Sequence, residues 1–366
     1  MSLDHARIMS LGNKHKELAI ALCQLPCFNS LTVSNIRVIE AGLSQTCFEV
    51  DTAKQRYFAK YIADNYAEVT ASELASGYGL SPKELYAGKH WLITEFIAAQ
   101  GLQQVDLAKN KKITQTLNLL MQCHQIDLGH VQVSQFIASE KNNAAEAERL
   151  KPMKGQQVAL STLPVLNIFA VINALIQQLN LSHLQNQQMT QLSEHLQQNL
   201  RHILDEQSTD ITQVFCHGDA NFSNVLIANN GLLSLNNDDC FLVDFECACI
   251  APVEYDLAMM MAVNGIEANK IRKICQDYLR CLGRFKKQNN CSETVENSSV
   301  NAMDSVCLSI DLVTRYYEMS LLINCLWYFV EYQARKQLDY KNLALEQLQL
   351  LAQRYPELHN LVLEMR

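Results

Sequence analysis

His217, Asp219 and Asn224 fall within the eight-residue stretch HGDANFSN, and Asp244 follows twenty residues after Asn224 in VDFE. A carboxylate and an amide on one loop can face a common point. Asp219 suits a group that accepts or orients a hydroxyl proton. Asn224 offers a neutral oxygen to a hard cation. The apolar run CFLV delivers Asp244 at its end, where a carboxylate can hold Mg²⁺, an ion that takes one or two carboxylates plus phosphate oxygens. The spacing therefore asks for a metal-bound phosphate at Asn224 and Asp244 and a hydroxyl beside Asp219. That is phosphoryl transfer from a nucleotide.

The elements that must position these groups change character along the chain. LTVSNIRVIE, TCFEVD, RYFAKYI, KELYA and HWLITEF read as strands, rich in β-branched and aromatic residues. Among them AEVTASELASGYG reads as one helix, stopped by Gly77 and Gly79 with Pro82 beyond. VFCHGD reads as a short apolar strand ending on polar residues, SNVLIA as another, and CFLVDFE as a third. After Phe96 the period lengthens: Ile113, Leu117, Leu120 and His124 fall on one face of a helix. Helical stretches follow from about Leu163 to Asp205 and from Ser309 to Tyr355. Residues 286–299 read as a polar loop. The expected class is α+β: a small β-rich N-terminal lobe with a leading helix (1–96), a connector near Glu95–Gln100, and a larger, mostly helical lobe (97–366).

Composition narrows the partners. A net charge of −8 and a pI near 5.7 give no support for nucleic-acid or membrane binding and mildly favour a cationic partner. Thirteen dispersed cysteines without a framework spacing read as reduced thiols, hence a cytoplasmic protein. Cys240, Cys247 and Cys249 cluster, but without the second ligand pair that a zinc site needs. No apolar run approaches the roughly 20 residues that span a bilayer, and no signal peptide opens the sequence.

HGDANFSN followed by VDFE resembles the catalytic and metal motifs of the aminoglycoside phosphotransferase/choline kinase superfamily, a branch of the two-lobed protein-kinase-like fold. The resemblance implies ATP and Mg²⁺ as cofactors and extends over most of the chain. EAGLSQTCFEV is similar to the nucleotide loop, so Gly42 and Ser44 would touch phosphate. YFAKYI resembles the third strand, which makes Lys60 the lysine on the α- and β-phosphates, paired with Glu68 or, on another helical face, Glu73. ITEFI resembles the strand whose backbone, at Glu95 and Ile97, would read adenine. PVEYDLAMM resembles the segment whose Asp, here Asp256, supports the catalytic loop around His217. His217 reads as a structural hydrogen-bonder and His124, in LLMQCH, as a packing histidine. No D-F-G or A-P-E follows Asp244 as in protein kinases.

The implied acceptor is a small hydroxylated metabolite, cationic or amine-bearing, of the choline, ethanolamine, thiamine or amino-sugar type. The choline kinases carry W-x-x-W and a later Tyr that cage a quaternary ammonium by cation–π attraction. Here Trp327 matches the second Trp, Asn324 stands at the first, and Leu343 aligns with the Tyr, with Tyr340 three residues earlier. Trp327, Tyr328 and Tyr332 read equally as helix packing. HGD is the form usual among the aminoglycoside kinases; choline kinases tend to have Asn in place of Gly218. Glu246 reads as a metal aid, a partner for a cationic substrate, or a surface residue; Glu254 is a second carboxylate suited to an amine. The alternative function is a nucleotide-binding regulator with weak catalysis.

Overall fold

The computed structural model describes residues 13–28, 31–39, 45–62, 66–88, 90–128, 132–134, 162–207, 211–229, 239–290 and 308–365. In chain order the elements are α1 (Asn13–Cys23), β1 (Ile36–Ile39), β2 (Cys47–Asp51), β3 (Arg56–Tyr61), α2 (Tyr66–Gly77), β4 (Glu84–Ala87), β5 (Trp91–Glu95), β6 (Ala99–Gly101) and α3 (Lys109–His124). There follow β7 (Gln132–Ser134), β8 (Thr162–Pro164), α4 (Ile168–Gln178), α5 (His183–Gln207), β9 (Gln213–Cys216), β10 (Val225–Ala228), β11 (Cys240–Leu242) and β12 (Cys249–Pro252). The chain closes with α6 (Val253–Val263), α7 (Ile271–Asn290), α8 (Ile310–Arg335), α9 (Leu338–Ala352) and α10 (His359–Met365). Among the described residues no helix is long and apolar enough to cross a membrane.

The chain divides into two compact units. The first comprises Met1–Asp106, Leu160–Thr162 and Ser223–Cys247. Its five-stranded antiparallel sheet runs β1-β2-β3-β5-β4, and a three-stranded sheet runs β11-β10-β6. β2 alternates on its outer half, as a sheet with one covered face requires, while Trp91–Thr94 of β5 are all buried. Phe48, Val50, Ala59, Trp91 and Ile93 from the sheet pack with Ala19 and Leu22 of α1. A single cut after Phe96 does not anticipate this grouping, because β10 and β11 return to pair beside β6.

The second unit comprises Leu107–Ala159, Leu163–Phe222 and Ala248–Arg366. α6 is buried on every side from Val253 to Ala262, the mark of a helix surrounded by others. α8, capped by the Ser309 hydroxyl accepting from Leu312 N, packs against α6 and α9. Two expectations need correction. Residues 286–290 continue α7 and are not loop; 291–299 lie outside the described residues. The stretch from Leu163 is not helical at its start: Thr162–Pro164 is strand, and α4 and α5 are separate helices.

Candidate active site

In the first unit, β3 carries Lys60 and α2 carries Glu68, and a β-rich sheet with a covering helix brings the two side chains together. Lys60 Nζ donates to Glu68 Oε1 and, at 2.5 Å, to Asp244 Oδ1. Lys60 and Glu68 are buried, whereas the Asp244 side chain keeps 32% of its surface. Glu73 is exposed, so the partner of Lys60 is Glu68. Burial alone would lower the Lys60 pKa; the charges of Asp244 and Glu68 outweigh it and hold the ammonium above its usual range. Asp244 follows β11 with φ of 68°, in the left-handed region that Asp tolerates better than most residues.

Asn224 is buried at the start of β10, and its carbonyl accepts from Val243 N at 3.0 Å. That bond ties the residue before Asp244 to Asn224; Asn224 immediately precedes β10, and Asp244 lies two residues beyond β11, the strand paired with it. An amide oxygen and a carboxylate form an all-oxygen donor set, the kind a hard cation takes. Glu246 Oε2 accepts from Gln45 Nε2 at 2.9 Å, and Gln45 also reaches Glu68 Oε2 at 3.5 Å. Glu95 ends β5, with its N–H donating to Lys83 O at 2.8 Å; Ile97 follows two residues on and is half-buried. Gly42 and Ser44 lie outside the described residues.

In the second unit, β9 ends at Cys216 and the His217–Gly218–Asp219 turn follows. Gly218 has φ of 77°, which bends the chain so that two successive N–H groups point at one carboxylate. Asp256 Oδ2 accepts from His217 N and Oδ1 from Gly218 N, each at 2.9 Å. Asp256 Oδ2 also meets His124 Nε2 at 3.0 Å, and His124 Nδ1 meets the Tyr278 hydroxyl at 2.8 Å. Burial alone would raise the Asp256 pKa; the His124 bond, the nearby histidines and the Gly218 N–H hold it below the usual carboxylate value. His217 Nδ1 accepts from Asp219 N at 3.2 Å, so that nitrogen is engaged in shaping the turn. Asn221 Nδ2 lies 3.3 Å from both Asp219 oxygens. Asn264 fastens the far side of the loop through Phe222 N and Ala220 O.

Trp327 and Tyr328 on α8 are half-buried, and the Trp327 ring is not sealed in the core. Their ring centroids are 5.3 Å apart at 69°, and Tyr340 of α9 stands 6.1 Å from Trp327 at 77°. Burial first, then the charge of Asp219, pushes the Tyr328 hydroxyl up to about 12. Asp219 and the aromatic corner are therefore electrostatic neighbours. Tyr332 belongs elsewhere: Lys336 and Lys341 cover its ring at 6.0 and 5.7 Å. Leu343, which aligned with the cage Tyr, is exposed. Glu254 is not beside Trp327. Its carboxylate accepts from Ser309 N at 3.1 Å, at the start of α8. Trp327 lies about 27 Å further along that helix at 1.5 Å per residue.

Sequence reading missed Gln45, Tyr278, Asn264 and the role of Tyr340. Only Tyr340 left a signal: two helices joined through Lys336 and Gln337 must run antiparallel, which sets the first turns of α9 against the end of α8.

A five-stranded antiparallel sheet bearing a Lys–Glu pair, with a helical unit whose buried Asp grips a His-Gly-Asp turn, defines the protein-kinase-like fold. Within that fold the chain belongs to the choline/ethanolamine kinase family, whose model matches residues 55–352. Its members are kinase-type phosphotransferases acting on small molecules. No curated protein matches the chain. Among solved structures it is similar to choline kinase LicA from Streptococcus pneumoniae, at 14% identity and TM-score 0.57, covering 93% of this chain and 100% of that one. Choline kinase from Cryptosporidium parvum Iowa II is 15% identical with TM-score 0.57, covering 94% and 96%. LicA in complex with AMP is 12% identical with TM-score 0.53, covering 93% and 97%.

Proposed function

We propose that this protein transfers the γ-phosphate of ATP to a hydroxyl of a small, amine-bearing metabolite in the cytoplasm. The observation that carries the reading is Lys60 held between Glu68 and Asp244. One cation so placed neutralises phosphate charge while its partners fix its position. Glu95 and Ile97 offer backbone to adenine; with the Glu95 N–H engaged by Lys83, its carbonyl is the group proposed to accept. The AMP bound by LicA supports a nucleotide in a protein of this fold. Gly42 and Ser44 are proposed to touch phosphate.

Asn224 and Asp244 are the residues proposed to hold Mg²⁺, which when bound supplies charge neutralisation on the phosphates. Asp219 orients the acceptor hydroxyl and takes its proton, with Asn221 fixing the carboxylate and Asp256 fixing the turn. Catalysis of this kind is positioning and charge stabilisation, for which rigid support of Asp219 is the main requirement. Trp327 and Tyr328 give the amine a cation–π surface, while the Tyr340 ring beside them already carries the Arg335 guanidinium at 5.8 Å. Glu246, whose Oε2 accepts from Gln45 Nε2, is proposed to face the cationic acceptor.

The test is phosphate transfer from ATP with Mg²⁺ to choline, ethanolamine, thiamine and amino sugars, with product seen by mass spectrometry. At least one acceptor should gain a phosphoryl group at a rate above solvent hydrolysis of ATP. ATP binding without transfer to any acceptor would instead favour a regulator.

A further inference from the structure

We propose that Asn324 and Tyr340 select an acceptor that carries, besides its amine and the hydroxyl to be phosphorylated, a further hydrogen-bonding oxygen. The inference rests on the phosphotransfer reading above and narrows its substrate.

Among the described residues nine buried side-chain atoms have no hydrogen-bond partner, and five of them lie on α8 and α9: Tyr317 Oη, Ser320 Oγ, Asn324 Nδ2, Tyr340 Oη and Gln347 Oε1. Native buried polar groups are almost always paired, so a local concentration of exceptions needs a cause. Tyr317, Ser320 and Asn324 follow at three- and four-residue intervals and so share a face of α8. Trp327 and Tyr328 continue that face one turn further. Asn324 is 9% exposed and Tyr340 is 3% exposed, so water at the surface does not serve them.

Tyr340 is itself a wall of the aromatic corner, 6.1 Å from Trp327 and 6.5 Å from Tyr328. Tyr328 in turn feels the charge of Asp219. One line of groups therefore runs from the hydroxyl-orienting carboxylate, through aromatic rings, to an unpaired amide N–H and a phenol. A trimethylammonium presents nothing for these two to bond. An amino alcohol with a second hydroxyl, an ether or a carbonyl presents an oxygen that accepts from Asn324 Nδ2 and from the Tyr340 hydroxyl. Sites with buried polar groups discriminate strongly against ligands that leave those groups unpaired.

The test uses matched acceptors that differ in a hydroxyl against a methyl group: 2-aminopropane-1,3-diol against 2-aminobutan-1-ol, and diethanolamine against N-propylethanolamine. kcat/KM should favour the oxygen-bearing member of at least one pair by about tenfold, the scale of one hydrogen bond, well above the twofold that two equivalent hydroxyls supply. Asn324→Leu should bring that ratio close to the twofold, and Tyr340→Phe should lower it while keeping the ring. The melting temperature of Asn324→Leu should stay level or rise, because a similar-sized apolar group replaces an unpaired amide. Equal use of both members in both pairs overturns the proposal. So does a ratio that survives Asn324→Leu, as it would if buried waters alone served these groups, or a clear fall in melting temperature, which would make the amide a structural fixture. Transfer neither to these four nor to choline, ethanolamine, thiamine or amino sugars overturns the phosphotransfer reading together with this inference; transfer that ignores the oxygen, or that reaches only acceptors lacking it, overturns this inference alone.

Discussion

Asp219 is held from three directions: its N–H by His217, its carboxylate by Asn221, and the preceding backbone by Asp256. Such support is what a positioned proton acceptor needs, and Asp219→Asn should lower kcat at least about 10²-fold while ATP still binds. Near-normal turnover in that variant would remove Asp219 from the chemistry. Asp244 is the charged member of the proposed metal pair, so Asp244→Ala should abolish Mg²⁺-dependent nucleotide binding in calorimetry. Lys60→Ala should weaken nucleotide binding and leave its Mg²⁺ dependence. At this scale the sequence was readable where the chemistry restricts residue type: only a few side chains can orient a hydroxyl or bind a hard cation. The supporting residues were not. Gln45, Tyr278 and Asn264 are ordinary polar residues whose partners lie far off in the chain, and only the folded packing brings them into bonding distance.

The elements around the turn make separate demands. Gly218 sits at φ of 77°, where any Cβ is strained but Asn is tolerated best. Gly218→Ala should destabilise the protein by about 1–2 kcal/mol and depress kcat, since His217 N and Gly218 N would leave Asp256. Gly218→Asn should retain more of both, measured by melting and steady-state kinetics. On α8, Trp327→Ala should raise the acceptor KM about three- to thirty-fold, the equivalent of a cation–π contact of about 0.5–2 kcal/mol, and leave the ATP KM nearly level. A parallel loss for both substrates would make Trp327 a packing residue. The strands β2, β3 and β5 were legible from β-branched and aromatic runs, and α3 from its apolar spacing. The continuation of α7 to Asn290 was hidden, because Lys286–Asn290 is polar throughout and a solvated helix end has the composition of a loop.

At the scale of the whole molecule, pH links the units to stability. Burial, and then the charge of Glu73, raises the Glu84 carboxyl on edge strand β4 to about 7. The folded chain thus holds that proton over a range where the unfolded chain has released it. Stability should therefore fall as pH rises from about 4.5 to about 7, and Glu84→Gln should flatten that slope in denaturant titrations at a series of pH values. Asp256 acts in the opposite sense at lower pH. Its depressed pKa contributes stability that is present above its ordinary value of 3.8 and lost as pH falls below it. A pH slope that Glu84→Gln leaves unchanged would rule out a raised Glu84 carboxyl. The broad α+β division was legible from the change of period after Phe96. The return of Ser223–Cys247 to the first unit was not, because strand pairing at long range leaves no local mark.

The backbone bend at residue 218 also constrains ancestry. A chain with Asn at that position and one with Gly differ at both of the first two bases of the codon. A lineage that crosses between them by single base changes must pass through Ser or Asp. Asp adopts positive φ far more readily than Ser, so the passable route runs through an intermediate with two adjacent aspartates in the turn. That intermediate would place a second carboxylate next to that of Asp219. The geometry of a single peptide thereby narrows the single-base routes between Gly and Asn at this position to one that keeps the turn.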